Sequence, residues 1–245
     1  MSRPMADTLL EIDAISKRFG GFLALDRVSL RVRAGERLGL IGPNGSGKTT
    51  LINCVSGALS ADGGRILFEG RDITAMAAHQ RTRLGIVRSF QIPKPFTSMT
   101  VLENLGIPLE YAAHARSHGA RATAEAMEIL REIGLDAKAH LRPAGLTQIE
   151  MRKLELARAM AARPKLLISD EAMAGLSSAE VDDILAILFR LSGQGITIIM
   201  IEHIMRAVMR FSQRIVVLDA GNRIAEGTPE EIVRNPAVEK AYLGE

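Results

Sequence analysis

A glycine-rich stretch near the start of the chain constrains the fold more than any other feature. It reads Gly42-Pro43-Asn44-Gly45-Ser46-Gly47-Lys48-Thr49-Thr50 and fits the pattern G-x-x-x-x-G-K-[ST]. Apolar residues fill positions 38–41 before it and recur at 51–55 after it, as expected for a buried strand and for a helix packed on a sheet. A turn between such elements directs successive backbone N–H groups and the positive end of the helix dipole into one concavity. The stretch therefore predicts a phosphate-binding loop, and its flanks disfavour the alternative of a surface turn.

Two side chains of this loop suit a nucleoside triphosphate that carries Mg²⁺. The ammonium group of Lys48 would reach the β- and γ-phosphates, and the hydroxyl group of Thr49 would ligate the metal ion. Glycine is needed around them because larger side chains would block the phosphates and because the turn requires positive φ angles.

The composition argues against several other classes of protein. A net charge of +3 and an aromatic content of 4% without tryptophan provide neither the charge nor the stacking surfaces of a nucleic-acid-binding protein. The richest apolar run, 196–201, falls far short of the ~18 residues of a membrane span. The single cysteine, Cys54, excludes an internal disulfide and indicates a reducing compartment. We expect a cytoplasmic protein that meets the membrane only through partners.

Strand and helix patterns alternate on both sides of a mainly helical middle segment, which predicts an α/β fold with a mainly parallel sheet. We expect one domain over 1–245. Its P-loop core would comprise 8–90, with an N-terminal antiparallel β part, and 165–245, while 91–164 would form an inserted helical subdomain. The predicted strands are 9–13, 28–32, 38–41, 65–68, 86–90, 166–169, 196–201 and 215–218.

Two acidic residues follow the apolar strand at 166–169. A carboxylate at the carboxyl end of a strand, beside a phosphate loop, is well placed to hold Mg²⁺, which favours Asp170 as a metal-binding residue. Glu171 comes next and could polarise an attacking water as a general base. An isolated Asp-Glu pair is more often a solvated turn, and the phosphate loop is what favours function here.

Three further residues are weaker candidates. His203 follows the strand at 196–201 and could contact the γ-phosphate or the attacking water, although a surface histidine is equally compatible with its position. Gln91 follows the strand at 86–90 and could contact both Mg²⁺ and water through its amide. Phe19, placed in a loop by the sequence pattern, could stack on a base or belong to a small hydrophobic cluster.

Taken in chain order, these residues resemble the site of the ATP-binding subunits of ABC transporters, and the resemblance covers nearly the whole chain. It implies an ABC ATPase fold that binds ATP and Mg²⁺. It assigns residues 42–49 to Walker A, and it implies that Thr49, Gln91 and Asp170 bind the metal ion. Under the resemblance the other roles are adenine stacking (Phe19), Q-loop (Gln91), Walker B (Asp170), catalytic glutamate (Glu171) and switch histidine (His203).

Several shorter motifs are similar to the branch that imports branched-chain amino acids. They are Lys17-Arg18-Phe19-Gly20-Gly21, Met99-Thr100-Val101-Leu102-Glu103-Asn104, Ala174-Gly175-Leu176, Glu226-Gly227-Thr228-Pro229 and Ala241-Tyr242-Leu243-Gly244. The resemblance therefore implies a chain that powers amino acid import from the inner face of the membrane.

The family signature Leu-Ser-Gly-Gly-Gln is altered. Its positions are occupied by Leu146, Thr147, Gln148, Ile149 and Glu150. Both glycines are replaced, and a carboxylate stands where a γ-phosphate would dock, which is electrostatically unfavourable. The same segment fits a capping box that simply starts a helix. A similar string at 191–195 lies on the wrong side of Walker B, and we interpret it as the end of a helix.

In this family two ATP-binding domains form a head-to-tail pair, so the altered signature would act on ATP that is held by the partner. The resemblance implies a second ABC ATP-binding subunit, with a heterodimer favoured over a homodimer, together with membrane permease subunits and, indirectly, a solute-binding protein. One alternative is an ATP-dependent switch of the translation or DNA-repair type, although 245 residues without a heptad run fit neither. Another is a weakly hydrolysing regulatory partner.

Overall fold

Two sheets form the framework of the computed structural model, which describes residues 8–89, 93–112 and 117–243. A four-stranded antiparallel sheet has the order β2-β1-β4-β5, and a six-stranded sheet has the order β10-β9-β3-β8-β7-β6. The strands are β1 (Thr8–Phe19), β2 (Phe22–Arg33), β3 (Arg37–Ile41), β4 (Gly63–Phe68), β5 (Arg71–Asp72), β6 (Ile86–Ser89), β7 (Leu166–Asp170), β8 (Thr197–Ile201), β9 (Arg214–Asp219) and β10 (Asn222–Gly227).

Helices cover the six-stranded sheet and fill the middle of the chain. They are α1 (Lys48–Ser56), α2 (Ala78–Leu84), α3 (Val101–Tyr111), α4 (Gly119–Ile133), α5 (Gln148–Ala161), α6 (Ser178–Gly193), α7 (Met205–Phe211), α8 (Pro229–Val233) and α9 (Pro236–Leu243), with 3₁₀ turns at Asp136–Lys138 and Pro143–Gly145. Within the described ranges no helix is long and apolar enough to cross a bilayer.

The six-stranded sheet is parallel from β6 to β9, and only β10 runs antiparallel to its neighbour. Its inner strands β3, β7 and β8 are largely apolar on both faces because each face packs on a separate hydrophobic cluster. Leu166 and Ile168 of β7 face the cluster that includes the antiparallel sheet and α1, whereas Leu167 faces the cluster built from α3 to α7. Parallel strands place their carboxyl ends at one edge. The segments that follow β3, β7 and β8 therefore converge there.

The structure confirms the predicted mixture of an antiparallel part, a mainly parallel sheet and a helical middle, and it corrects several details. Strand β1 extends to Phe19, well beyond the predicted 9–13. The prediction stopped early because the hydrophobic alternation is interrupted at Ala14, where φ is 50° and the pairing with β2 shifts register. Phe19 is thus the last residue of a strand and is not in a loop. The string at 191–195 does end α6.

Candidate functional site

A groove at the carboxyl edge of the sheet gathers most of the candidate residues. It encloses about 250 Å³ and is lined by Phe19, Phe22, Ala24, Asn44, Gly45, Ser46, Gly47, Lys48, Thr49, Thr50, Glu171 and His203. Glu171 is 123 positions from Lys48 in the sequence, and the adjacency of β3, β8 and β7 is what brings the two together. Gln91 lies outside the described residues, so its place in this site stays a prediction.

The phosphate loop can adopt its conformation only with glycine at two positions. At Gly42, with φ of 150°, an added Cβ would lie 2.0 Å from the carbonyl oxygen of Leu218. At Gly47, with φ of 102°, it would lie 2.8 Å from the carbonyl oxygen of Ala24. The close approach of neighbouring backbone holds the loop in place, and α1 begins immediately after Gly47. The N-terminal end of α1 consequently points into the groove.

Lys48 is almost fully buried beneath this loop. Its ammonium group donates hydrogen bonds to the carbonyl oxygens of Gly42, at 2.7 Å, and Pro43, at 3.0 Å. Burial lowers the pKa of Lys48, and the nearby carboxylates of Glu171 and Asp170 oppose that change. The loop thus holds its cation in a fixed position, with two carboxylates close enough to favour the charged form.

Asp170 forms an ion pair that the sequence did not reveal. The Arg88 guanidinium donates to Oδ2 of Asp170 from Nη2, at 2.5 Å, and from Nε, at 3.2 Å, while its Nη1 donates to Oδ1 of Asn53, at 2.6 Å. Arg88 lies on β6, beside β7, so its guanidinium bridges the strand end and helix α1. Both bonds go to Oδ2, so Arg88 holds the Asp170 carboxylate at the carboxyl end of β7.

Glu171 and His203 are in direct contact. Nε2 of His203 lies 3.0 Å from Oε1 of Glu171. The Glu171 backbone N–H donates to the carbonyl oxygen of Ile201, at 2.9 Å, and its φ of 48° lies in the left-handed region that favours glycine. The hydrogen bond to β8 and the turn together aim the Glu171 carboxylate across the groove, toward the phosphate loop.

A second residue at the end of β8 holds the loop that follows Glu171. The Glu202 carboxylate is buried and accepts a hydrogen bond from the backbone N–H of Met173, at 2.9 Å. From the other side, Nη2 of Arg152 on α5 donates to the carbonyl oxygen of Ala174, at 3.2 Å. Burial raises the pKa of Glu202 to about 7, the charge of Glu171 adds to the rise, and the hydrogen bonds and Arg152 oppose it.

The altered signature begins α5, as the capping-box pattern predicts. The Thr147 hydroxyl accepts from the Glu150 backbone N–H, and the Glu150 carboxylate accepts from the Thr147 backbone N–H. Ile149 is half-buried and packs against the helical cluster, together with Leu146. The Gln148 side-chain amide lies 3.5 Å from the carbonyl oxygen of Ala174. The carboxylate of Glu150, which is electrostatically unfavourable beside a docking γ-phosphate, forms an ion pair with Lys138, whose Nζ lies 2.7 Å from Oε1.

The C-terminal helix also reaches the phosphate loop. The Tyr242 side chain on α9 is 44% exposed; partial desolvation raises the pKa of its hydroxyl, and a hydrogen bond with the backbone of Gly42 partly offsets that rise. Tyr242 is part of a motif that carried the resemblance to amino acid importers, but its position in the sequence gave no indication of this contact.

A family model described as "ABC transporter" matches residues 25–174, which is more than half of the chain. The chain belongs to the ABC transporter ATP-binding family. This ABC protein accordingly binds and hydrolyses ATP. A second model, described as "Branched-chain amino acid ATP-binding cassette transporter", matches residues 222–245.

Full-length relatives and solved structures agree with the assignment. The ABC chain is 40% identical to the high-affinity branched-chain amino acid transport ATP-binding protein BraF of Pseudomonas aeruginosa, with all of both chains covered. It is 37% identical to LivG of Escherichia coli, a protein of the same description, over 98% of this chain and all of that one. A nucleotide-free ATP-binding cassette from an ABC transporter superimposes with a TM-score of 0.89, at 35% identity over 97% of this chain and 100% of that one.

Proposed function

We propose that this chain is the ATP-hydrolysing subunit of an importer for branched-chain or related amino acids. The observation that carries the proposal is that similarity to BraF and LivG extends over the whole chain, including a tail that matches its own branched-chain family model. Family membership further supports association with permease subunits, through which the chain would lie at the inner face of the cell membrane. A solute-binding protein would deliver the amino acid to those subunits.

The geometry of the groove supports a division of labour among its residues. The backbone N–H groups of 42–49 and the ammonium of Lys48 would bind the phosphates, and Phe19 would stack on the adenine. Mg²⁺ would be held by the Thr49 hydroxyl and, directly or through water, by Asp170, with Gln91 as a further ligand. These are hard oxygen donors of the kind Mg²⁺ prefers, and the bound ion would neutralise phosphate charge.

Glu171 would act as the general base, and His203 would orient it. A carboxylate that lines the groove beside Lys48 is positioned to accept a proton from water as that water attacks the γ-phosphate. The 3.0 Å contact between Nε2 of His203 and Oε1 of Glu171 supports this role, since the ring would then fix the direction of the carboxylate. Gln91 would complete the catalytic set by sensing the γ-phosphate.

A second ATP-binding subunit would complete each ATP site, and we favour a heterodimer because Ile149 and Glu150 replace residues of the usual signature. Permease subunits would dock on a groove of about 480 Å³ between α2, α3 and α5. Tyr111 is largely exposed there, and Arg158 stacks over the ring of Phe96, with 5.1 Å from its guanidinium carbon to the ring centroid. An exposed aromatic surface with adjacent cations suits an amphipathic helix from a partner.

The proposal is tested by measuring MgATP hydrolysis over a range of protein concentrations, with Glu171→Gln beside the parent. Glu239→Gln, which removes an exposed carboxylate on α9, serves as the matched control. We expect Glu171→Gln to lower turnover at least about 100-fold, since a positioned general base contributes about 10²–10⁴-fold, and the control to leave it unchanged. Hydrolysis by Glu171→Gln at the parent rate would refute the role of Glu171.

The oligomeric state and the transported solute need further measurements. Turnover by the chain alone that rises with its concentration would indicate a competent homodimer and would contradict the heterodimer. Turnover only in the complex purified through a tag on this chain would support the heterodimer. In liposomes that contain this complex, ATP-dependent uptake of leucine is expected, and uptake of none of the branched-chain or related amino acids would contradict the import function.

The altered signature also favours a second candidate function, a weakly hydrolysing regulatory partner in an asymmetric pair. The specific observation is the Ile149 side chain at a position where the family pattern has glycine. Because this signature acts on the ATP held by the other subunit, that site would bind MgATP and hydrolyse it slowly. Glu171→Gln would then remove most of the hydrolysis that the complex retains, whereas loss of the other subunit's base would have little effect.

A further inference from the structure

The most informative contact outside the groove is the ion pair at the start of α5. The Glu150 carboxylate receives Lys138 Nζ on both oxygens, at 2.7 Å to Oε1 and 2.8 Å to Oε2. It also accepts the backbone N–H of Thr147 at 2.8 Å. The hydrogen bond from Lys138 is the main reason that the pKa of Glu150 is lowered, and the Thr147 backbone N–H contributes next. Glu150 is therefore charged and turned back onto its own helix.

The backbone of Lys138 is anchored beside Glu150. It ends the 3₁₀ turn Asp136–Lys138, which follows the C-terminus of α4. The residues on each side of that turn, Leu135 and Ala139, are both 1% exposed, and the Ala139 carbonyl oxygen accepts from the backbone N–H of Leu102 on α3. An anchored backbone leaves only the lysine side chain free to move, so the ammonium group stays within reach of Glu150.

We propose that Lys138 is a positioning residue of the signature, which neutralises Glu150 so that the partner's ATP can dock at the N-terminus of α5. The inference rests on the proposed function, in which this segment faces a γ-phosphate. A bare carboxylate at that place would repel the phosphate, whereas the ion pair presents no net charge and leaves the positive end of the helix dipole unopposed. The pair thereby allows a carboxylate where the family pattern has a neutral amide.

The test is a double-mutant cycle in the complex purified through a tag on this chain. The variants are Lys138→Met, Glu150→Gln, the two together, and Lys138→Arg. Affinity for a non-hydrolysable ATP analogue with Mg²⁺ is measured by calorimetry, and MgATP hydrolysis is measured in parallel. We expect Lys138→Met to weaken analogue binding at one site about tenfold, as an exposed like charge would. Glu150→Gln should restore it in the double variant, and Lys138→Arg should retain the parent affinity.

A matched lysine distinguishes this role from a general loss of stability. Lys165 pairs with Glu69 at 2.7 Å on another part of the surface, and Lys165→Met should leave analogue affinity unchanged. Lys138→Met with the parent affinity, a loss that Glu150→Gln does not restore, or an equal loss in Lys165→Met would each overturn the proposal. Hydrolysis by Glu171→Gln is measured separately and does not depend on Lys138. Failure of this proposal is therefore distinguishable from failure of the proposed function.

Discussion

Glu202 should make the stability of this protein depend on pH in a direction opposite to that of most carboxylates. Its pKa in the folded chain is about 7, against an ordinary value of 4.5. Between those two values the folded state binds more protons than the unfolded state, so the free energy of unfolding falls as the pH rises. The gap between the two pKa values corresponds to about 3 kcal/mol, at about 1.36 kcal/mol per pH unit.

The perturbation that exposes this effect is Glu202→Gln. An amide cannot ionise, yet its oxygen can still accept the hydrogen bond from the Met173 backbone N–H. Between about pH 5 and about pH 8, the parent should lose about 2 to 3 kcal/mol more of its unfolding free energy than the variant loses. Groups common to both proteins, including the histidines, cancel in that difference.

Urea denaturation of the isolated chain at several pH values, followed by circular dichroism, measures the difference directly. Glu239→Gln is the control, since its side chain is exposed and its removal should leave the pH dependence unchanged. Parallel pH profiles for the parent and Glu202→Gln would refute the reasoning. They would show that the buried carboxylate is as well stabilised in its charged form as a carboxylate in water.

Two further substitutions test other parts of the structure. Arg81→Met should lower the free energy of unfolding by about 3 kcal/mol in urea titrations, because four backbone carbonyl oxygens would lose their donor. The buried guanidinium donates to the carbonyl oxygens of Cys54, Val55, Thr74 and Met76. A change below about 1 kcal/mol would contradict this expectation. Phe19→Ala should weaken ATP binding about tenfold, with Phe22→Ala as the matched comparison on the same groove, and a larger loss in Phe22→Ala would move the stacking role to Phe22.

The parts of the site that were predictable depend on local patterns. The phosphate loop is one continuous motif, and Asp170 and Glu171 directly follow an apolar strand, so the convergence of parallel strand ends brings them near the loop without any knowledge of the strand order. The capping box at Thr147 is equally local, because its two partners are three residues apart.

The contacts that were not predictable join residues whose pairing is set by the sheet or by turns. Arg88 is the one charged residue of strand β6, and its partner Asp170 lies 82 positions away on the neighbouring strand. Lys138 is one of many lysines and arginines, and only the course of the 3₁₀ turn brings it to Glu150. Strand β10 was missed because an edge strand with one covered face carries polar residues such as Asn222 and Arg223.

The left-handed backbone at Glu171 has a consequence for the evolution and engineering of this protein. An L-residue with a side chain pays about 1–2 kcal/mol for that conformation, and glycine would avoid the cost. Selection for stability alone would therefore favour glycine at 171, whereas the proposed chemistry requires a carboxylate there. At position 171 a substitution that raises thermal stability would therefore remove activity. Mutant libraries designed to stabilise this protein should keep Glu171 unchanged.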